Sequence, residues 1–399
     1  MNNLKSIVSN ISSQEWVKYL LKFCNVYLVG GCVRDSIMNI DAKDIDIVVE
    51  GLDIFSVKEL LKHYGKTNIV GQSFSVIKFA SNDNPDVYFD IAVPRIDIKT
   101  GSGHKGFKVK TNGVTIKDDL RRRDFTINSI AVNIKTKEIL DPFNGIRDIN
   151  QNILRATDER SFVEDPLRIV RGIQFASRFH FTIEPTTLQL MKNNCKLIKE
   201  ISGERIKEEF DKILNKGGST KIALELIEKS DLDKGLFDKK FSNKDFENFD
   251  NLDIVSFYYI LSFLGDKDPV KFYRDRLKGE AEIVKALDTF EKYFERFSED
   301  KSEEEVRWNV FVMLKTSPIL QNVKILPLRA KKIIKMMKDG IIPMKLGDIP
   351  VNGVDLMNNF PIGAGEELGG AIQFMYKEAL INKFNWKDKD ETINYLKTL

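Results

Sequence analysis

The chain is poor in the residues that build zinc centres and disulfide frameworks. It has three cysteines (Cys24, Cys32, Cys195) and three histidines (His63, His104, His180) among 399 residues. The cysteines lack metal-ligand spacing, and their odd number leaves a thiol unpaired, which argues against structural disulfides and for a reducing compartment. The scattered histidines argue against a zinc site or a histidine-metal hydrolase and read as packing or surface residues. No apolar run approaches the roughly 18 residues of a membrane span, and the amino terminus lacks the charged-then-apolar pattern of a signal peptide. A cytoplasmic location without membrane contact is therefore expected. Net charge is only +3, from 62 basic and 59 acidic residues, so any nucleic-acid surface must come from clustering. Internal repeats and low-complexity tracts are also lacking.

What is present is an ordinary globular composition, 42% hydrophobic and 30% charged, in a chain long enough for two or more domains. The first informative stretch is Tyr27-Leu28-Val29-Gly30-Gly31-Cys32-Val33-Arg34-Asp35. An apolar strand ending in two glycines and opening a helix lets bare backbone approach a phosphate, although a plain strand-to-helix turn has the same pattern. Shortly afterwards comes Asp44-Ile45-Asp46-Ile47-Val48-Val49, where two carboxylates alternate along a strand and share a face. Such a pair suits Mg²⁺, which takes a few carboxylates plus substrate phosphates, or else marks a solvated strand edge. Asp90, in the alternating run Tyr88-Phe89-Asp90-Ile91-Ala92, is a candidate third catalytic carboxylate or a structural aspartate.

Residues 1–25 read as one amphipathic helix, with Ser13 a candidate cap. Strand signals at Val26–Val29, Asp46–Val49, Ser75–Phe79 and Val87–Ala92 alternate with helix signals at Val33–Met38 and Phe55–His63. Pro94 to Asp118 reads as a long loop containing Thr100-Gly101-Ser102-Gly103-His104-Lys105-Gly106. From Arg95 to Arg123 nine basic residues face three acidic ones, which fits a segment closing over triphosphate or RNA backbone, or a solvated hairpin. Next, Asp119-Leu120-Arg121-Arg122-Arg123-Asp124-Phe125-Thr126-Ile127-Asn128-Ser129 sets three arginines together. Like charges so close seek a negative partner; triphosphate is a natural one, with Asp124 placed to accept a ribose hydroxyl.

In Glu164-Asp165-Pro166-Leu167-Arg168-Ile169-Val170-Arg171-Gly172-Ile173-Gln174-Phe175, Asp165 reads as an N-cap and Pro166 as the first helical residue. Asp165, Arg168 and Arg171 fall within an arc of about 120°, away from Ile169, Val170 and Ile173. An acceptor and donors one turn apart can read a base edge, or form ion pairs on a wet face. Ser202 and Arg205 in Ile201–Phe210 have a capping-box look. Beyond about residue 216 helical periodicity dominates, at Ile222–Ser230, Val255–Phe263, Pro269–Phe297, Glu303–Leu314 and Leu326–Lys338. Lys324 to Lys345 carries seven basic residues and one acid, with Lys331, Lys332 and Lys335 on one helical face as a track for RNA phosphates or a solvated surface.

The combination Gly-Gly-x-Val-Arg-Asp then Asp-x-Asp-Ile resembles the catalytic core of the DNA polymerase beta-like nucleotidyltransferases, in the branch of class II tRNA nucleotidyltransferases and bacterial poly(A) polymerases. Residues 119–129 resemble the second motif of that family. Asp141-Pro142-Phe143-Asn144-Gly145 resembles the third, a bracing turn. Glu164 to Arg171 resembles the nucleotide-selecting motif, in which Asp and the first Arg pair with incoming ATP or CTP. Residues 201–210 resemble the neck helix. The segment from Asp348 to Gly369 resembles the tail that grips the tRNA elbow.

The resemblance implies an α+β chain: a nucleotidyltransferase head with a mixed sheet and flanking helices (1–150), then an all-α neck (151–215), body (216–330) and tail (331–399). It implies Asp44 and Asp46 as metal ligands for Mg²⁺, with Asp90 a third catalytic carboxylate. Gly30, Gly31, Arg34, Arg123, Asp124, Asn128, Asp165, Arg168 and Arg171 are the implied nucleotide-binding residues. Gln174 departs from the pattern, since relatives often carry arginine there. The implied activity is addition of CCA, or part of it, to tRNA 3′ ends from CTP and ATP, without an obligate protein partner. The alternatives are a poly(A) polymerase, whose usual basic tail is not found, and a non-catalytic RNA-binding relative, against which the intact aspartates argue.

Overall fold

The computed structural model describes residues 2–41, 44–70, 76–99, 107–241 and 245–399. The chain divides into two compact units, Met1–Asn251 and Leu252–Leu399. The segments expected as head and neck thus fall in one unit, and the segment 216–330 is shared between the two.

The first unit opens with α1 (Asn2–Ser13) and α2 (Glu15–Leu20), followed by β1 (Asn25–Val29), α3 (Gly31–Ile37), β2 (Ile45–Glu50), α4 (Ile54–Leu61), β3 (Gly65–Val70), β4 (Val76–Ser81) and β5 (Asn84–Ala92). The single amphipathic helix expected over 1–25 is broken at Gln14, whose extended backbone (ψ 132°) separates α1 from α2. Ser13 caps nothing there; its hydroxyl donates back to the Asn10 carbonyl. The chain continues through a hairpin of β6 (Ile96–Lys99) and β7 (Phe107–Lys110), then α5 (Ile116–Arg121), β8 (Ala131–Asn133) and β9 (Ile139–Leu140). The expected long loop is thus largely a hairpin and the start of a helix. Thr100 to Gly106, and the strand residue Ser75, lie outside the described residues.

Seven strands form one mixed sheet in the order β3-β4-β5-β2-β1-β8-β9. All its neighbours are antiparallel except β2 and β5, which run parallel with Asp46 opposite Asp90. Alternation along the strands gives the sheet two different faces. On one, Trp16 of α2 is buried edge-on against Phe79 and Phe89, with ring centroids 5.0 Å apart in each case. On the other, Tyr27, Val29, Val48 and Ala131 pack against Ile116 and Leu120 of α5. Asp46 is two residues from Val48 and shares that second face. Packing of α5 therefore delivers the residues at its C-terminal end to the carboxylate end of β2.

Asp141 accepts from the Gly145 and Ile146 amides (2.6 and 2.9 Å), closing the turn that opens α6 (Gly145–Asn150). A short bridge strand, β10 (Ile153–Leu154), leads through α7 (Ser161–Glu164) to the long α8 (Leu167–Phe179); β11 (Thr182–Ile183), α9 (Pro185–Asn194) and α10 (Gly203–Asn215) follow. Helix α8 begins one residue later than expected: Pro166 is the cap position, and Asp165 still accepts from the Leu167 amide at 3.3 Å. The Ser202 side chain makes no cap bond, so the expected capping box is absent there.

The second unit is helical throughout its described residues, including Ile254–Leu264, Glu303–Thr316, Leu328–Lys338, Gly353–Asn359, Glu366–Leu380 and Lys389–Leu396. The helix expected over Pro269–Phe297 is interrupted. Pro269–Lys271 runs into one wide turn, Phe272–Arg276, and the helix resumes at Ala281–Phe294. At the break Lys278 has φ 56°, and a Cβ on Gly279 would lie 2.0 Å from the Tyr273 ring. No described helix is long and apolar enough to cross a membrane.

Candidate active site

A cavity of about 440 Å³ in the first unit gathers motifs that lie far apart in sequence. Gly30, Gly31, Arg34, Asp46, Arg123, Asp124, Asn128, Asp165, Arg168 and Arg171 all line it. Asp44 and Asp90 stand beside it rather than in its wall. Nine arginines and lysines line the cavity against four carboxylates, an excess that selects for anionic ligands.

At the carboxylate end, the register of the parallel pair sets Asp46 beside Asp90 on one face, with Asp44 immediately before β2. Burial pushes the Asp46 carboxyl above its ordinary range; Arg123 and Arg34 oppose this, while Asp90 and Asp44 add to it. Lys78, opposite Asp90 on β4, reaches it at 3.9 Å across an exposed surface and adds little. Among the described residues no three acidic, histidine or cysteine side chains converge closely enough to cage a metal. What stands there is one half-buried carboxylate with two acidic neighbours. That fits a hard divalent cation which takes one or two carboxylates and completes its shell from phosphate and water.

Gly30 is the joint of this end. It has φ 72° and ψ −134°, a conformation glycine adopts without a steric penalty. A Cβ there would lie 2.7 Å from Arg123 Nη1 and 3.5 Å from Asp46 Oδ2. The bare backbone at position 30 therefore leaves room for the guanidinium beside the carboxylate.

Three consecutive arginines were expected to need an external anion, and the structure gives two of them an internal one. Asp119 is fully buried and accepts from Arg122 Nε and Nη2 (2.9 and 2.7 Å), from Arg123 Nε and Nη2 (3.3 and 3.1 Å), and from the Arg95 amide (3.3 Å). Burial raises the Asp119 pKa, but Arg123 and Arg122 outweigh it and hold the carboxyl below its ordinary value. Asp119 was not among the expected site residues, yet it aims Arg123 at the cavity.

Asp124 is also committed internally. Arg171 donates twice to its Oδ2 (2.8 and 2.6 Å), while Asn128 and the Phe125 amide donate to Oδ1 (2.9 and 2.8 Å). Burial works against its charge, but Arg171 and Arg168 dominate and keep it well below the usual carboxylate range. Both Asp124 oxygens thus carry internal hydrogen bonds in this arrangement, where the sequence alone suggested a free acceptor. Asn128 links it onward, accepting from Arg34 Nη1 at 2.5 Å. Arg34 also donates to Asp35, and its guanidinium lies over the rings of Phe175 and Phe179, 5.1 and 4.9 Å from their centroids.

Asp165 and Arg168, the pair expected to select the base, are held by neighbours. Asp165 receives Arg205 Nη1 and Nη2 (3.4 and 3.2 Å), and Arg168 donates to the carbonyls of Arg123 and Arg122 (3.1 and 2.6 Å). Burial lowers the Arg168 pKa below its usual range, with Asp124 and Asp165 opposing. Helices α8 and α10 thus face each other through matched polar stripes, Asp165 to Arg205 and Arg171 to Glu209, the latter at 3.4 Å. Sequence reasoning missed Arg178, Arg205, Glu209, Lys212 and Lys216 as cavity residues. The signal was there: 205, 209, 212 and 216 recur at helical spacing on one face of α10 and just beyond its end.

Two family models match. One, described as Poly A polymerase head domain, covers residues 26–155; the other, described as probable RNA and SrmB- binding site of polymerase A, covers residues 180–240. A multifunctional CCA protein of Aliivibrio salmonicida (strain LFI1238) is 41% identical over 196 residues, 48% of this chain and 45% of the relative. The chain thus matches about half the length of this relative. Solved structures align over nearly the whole chain. An apo CCA-adding enzyme has a TM-score of 0.76 at 26% identity, covering 99% of this chain and 96% of that one. The Thermotoga maritima CCA-adding enzyme complexed with tRNA gives 0.75 at 25%, covering 99% and 98%. A CCA-adding enzyme in complex with ATP gives 0.73 at 25%, covering 99% and 96%. With its mixed-sheet head and paired aspartates, the chain matches the poly(A) polymerase head domain over residues 26–155 and is similar to CCA-adding enzymes over nearly its whole length.

Proposed function

We propose that this protein is a template-independent RNA nucleotidyltransferase that adds CCA, or part of it, to tRNA 3′ ends from CTP and ATP and releases pyrophosphate. One observation carries the reading: Gly30, Arg34, Asp46 and Arg123 share a single cationic cavity with Asp165 and Arg168. The first four suit a triphosphate; the last two suit a base edge. The relatives complexed with tRNA and ATP support the same substrates.

In this reading the base exchanges Asp165 and Arg168 from their internal partners to its own edge. Arg34 and Arg123 hold triphosphate oxygens and offset charge as it moves toward the leaving pyrophosphate. The network Arg171, Asp124, Asn128 and Arg34 keeps those donors aligned, so the primer 3′-hydroxyl meets the α-phosphate in line. Asp44 and Asp46, with Asp90 beside them, would hold a divalent cation, assigned here as magnesium, which supplies Lewis-acid polarisation of the phosphate and activation of the hydroxyl. Residues 1–150 act as catalytic head, 151–215 as selecting neck, 216–330 as body and 331–399 as the tail on the tRNA elbow, in a cytoplasmic protein.

The test is incubation with a tRNA lacking its 3′ CCA and labelled CTP and ATP. Cytidine and then adenosine incorporation is expected, and Asp46→Ala abolishes it. Incorporation of AMP alone, on any RNA end, would establish the poly(A) polymerase reading; no incorporation rejects both.

A further inference from the structure

Arg178 lies at the far end of α8 from the base-selecting pair, ten residues and therefore about 15 Å along the helix from Arg168. At about 100° per residue, Arg168, Arg171, Phe175 and Arg178 fall within roughly 80° of one another, so a single stripe runs the length of the cavity. Along that stripe the arginines have different company. Arg168 is held by two carbonyls and Arg171 by Asp124 and Glu209. The Arg178 guanidinium has no hydrogen bond or ion pair among the described residues; it stacks over Phe179 at 4.6 Å. The ring it rests on also carries Arg34, at 4.9 Å, and Phe179 is itself stacked on Phe175 at 6.1 Å and 6°.

Two guanidiniums on one aromatic ring repel each other; Asp35, paired with Arg34 at 2.7 Å, offsets part of this, and at the wall of a cavity with excess positive charge a bound anion between them offsets the rest. Arg178 is also half-buried: burial lowers its pKa, Asp35 opposes, and the charge of Arg34 lowers it further. Neighbouring Gly31 is open to the Arg34 head group, a Cβ there lying 3.6 Å from Nη2. Under the proposed function the base sits at Asp165 and Arg168, which directs the phosphate tail toward this opposite end.

We infer that Arg178 is a phosphate ligand, forming with Arg34 a clamp on the β- and γ-phosphates of the incoming nucleoside triphosphate. It thereby places a cation one helical turn beyond the uncharged Gln174, which also lines the cavity. The same phosphate chemistry exists in the RNA backbone, and the assignment to triphosphate rests on the proposed orientation of the base.

The experiment measures equilibrium binding of CTP, CMP and a tRNA lacking its CCA end to the full-length protein with Mg²⁺, in Arg178→Ala and Arg178→Lys. Loss of a charged, two-bond contact predicts a ten- to hundredfold loss of CTP affinity in Arg178→Ala, partly recovered in Arg178→Lys. CMP and tRNA affinities stay within twofold of wild type. Adding Gln174→Arg to Arg178→Ala recovers several-fold in CTP affinity. Equal losses for CTP and CMP overturn the clamp, as do an unchanged CTP affinity and a loss confined to tRNA. Since the guanidinium makes no hydrogen bond, Arg178→Ala should melt with the wild type; if it does not, Arg178→Lys and the Gln174→Arg rescue decide. A wild type that binds CTP but extends no tRNA would reject the proposed function and leave the phosphate assignment standing.

Discussion

Replacing Gly30 by alanine separates two costs that the structure assigns to this position. The first is backbone: φ 72° with ψ −134° is strained for any residue with a Cβ, by about 1–3 kcal/mol. The second is spatial. The new methyl would stand 2.7 Å from Arg123 Nη1, and the guanidinium must retreat. It is the end of a flexible side chain, so the overlap alone would cost little. Retreat, however, strains its bonds to Asp119 (3.1 and 3.3 Å), which adds about 1 kcal/mol. Gly30→Ala should therefore destabilise the first unit by about 2–4 kcal/mol, and by about 1 kcal/mol less in an Arg123→Ala background. Urea unfolding followed by Trp16 fluorescence, with Trp308 and Trp386 replaced by phenylalanine, reads this unit. Equal costs in the two backgrounds would refute the packing of Arg123 against position 30. A cost below about 0.5 kcal/mol would refute the strained backbone as well. Triphosphate binding should weaken in parallel, because the displaced arginine no longer faces the cavity.

Asp119→Ala leaves Arg122 and Arg123 without their buried acid and should cost about 2–4 kcal/mol in urea unfolding, together with a KM for nucleoside triphosphate raised at least tenfold in primer extension. Asp124→Asn should lower stability by a similar amount, and its pH dependence has a defined sign. Because the folded carboxyl titrates below its ordinary 3.8, the contribution is fully present above that value and is lost as pH falls through the folded pKa, so wild type and variant differ by a constant amount from pH 5 to 8 and converge only in strong acid. Asp165→Ala should leave the rate with CTP measurable but reduce discrimination against UTP and GTP ten- to hundredfold, read as the ratio of kcat/KM values.

The motifs that line the cavity were legible in sequence because each is local. A glycine pair after a strand, two aspartates two residues apart and an Asp-x-x-Arg on a helix carry their geometry in their spacing. The third carboxylate was harder, since only the parallel register of β2 and β5 brings Asp90 beside Asp46. Partner choice was not legible. In sequence the arginine run 121–123 calls for a phosphate, whereas in the fold Asp119, one helical turn earlier, holds two of its members. The same holds for Asp124, whose buried pairing with Arg171 joins residues 47 apart. The helix break near Gly279 was not legible although it is local: Lys278 turns left-handed, and Gly279 passes so close to the Tyr273 ring that a Cβ would meet it. The face of α10 that completes the cavity became meaningful only once α8 lay against it.

That last pairing bears on how nucleotide choice would work. Asp165 and Arg168 are not idle before a nucleotide arrives; one holds Arg205 and the other holds two backbone carbonyls. A base that offers a donor to Asp165 and an acceptor to Arg168 exchanges bonds for bonds, and the net change is small. A base with the wrong edge breaks the internal bonds and leaves a half-buried carboxylate and a half-buried guanidinium unpaired, at a cost of several kcal/mol. Discrimination then comes from penalising wrong partners more than from rewarding right ones. It follows that Arg205→Ala, which removes the internal alternative for Asp165, should shift affinity for CTP, ATP and UTP together more than it shifts the ratios between them, whereas Asp165→Ala should do the reverse. Nucleotide competition assays on the two variants distinguish these patterns, and equal loss of the ratios in both would show that Arg205 reads the base directly.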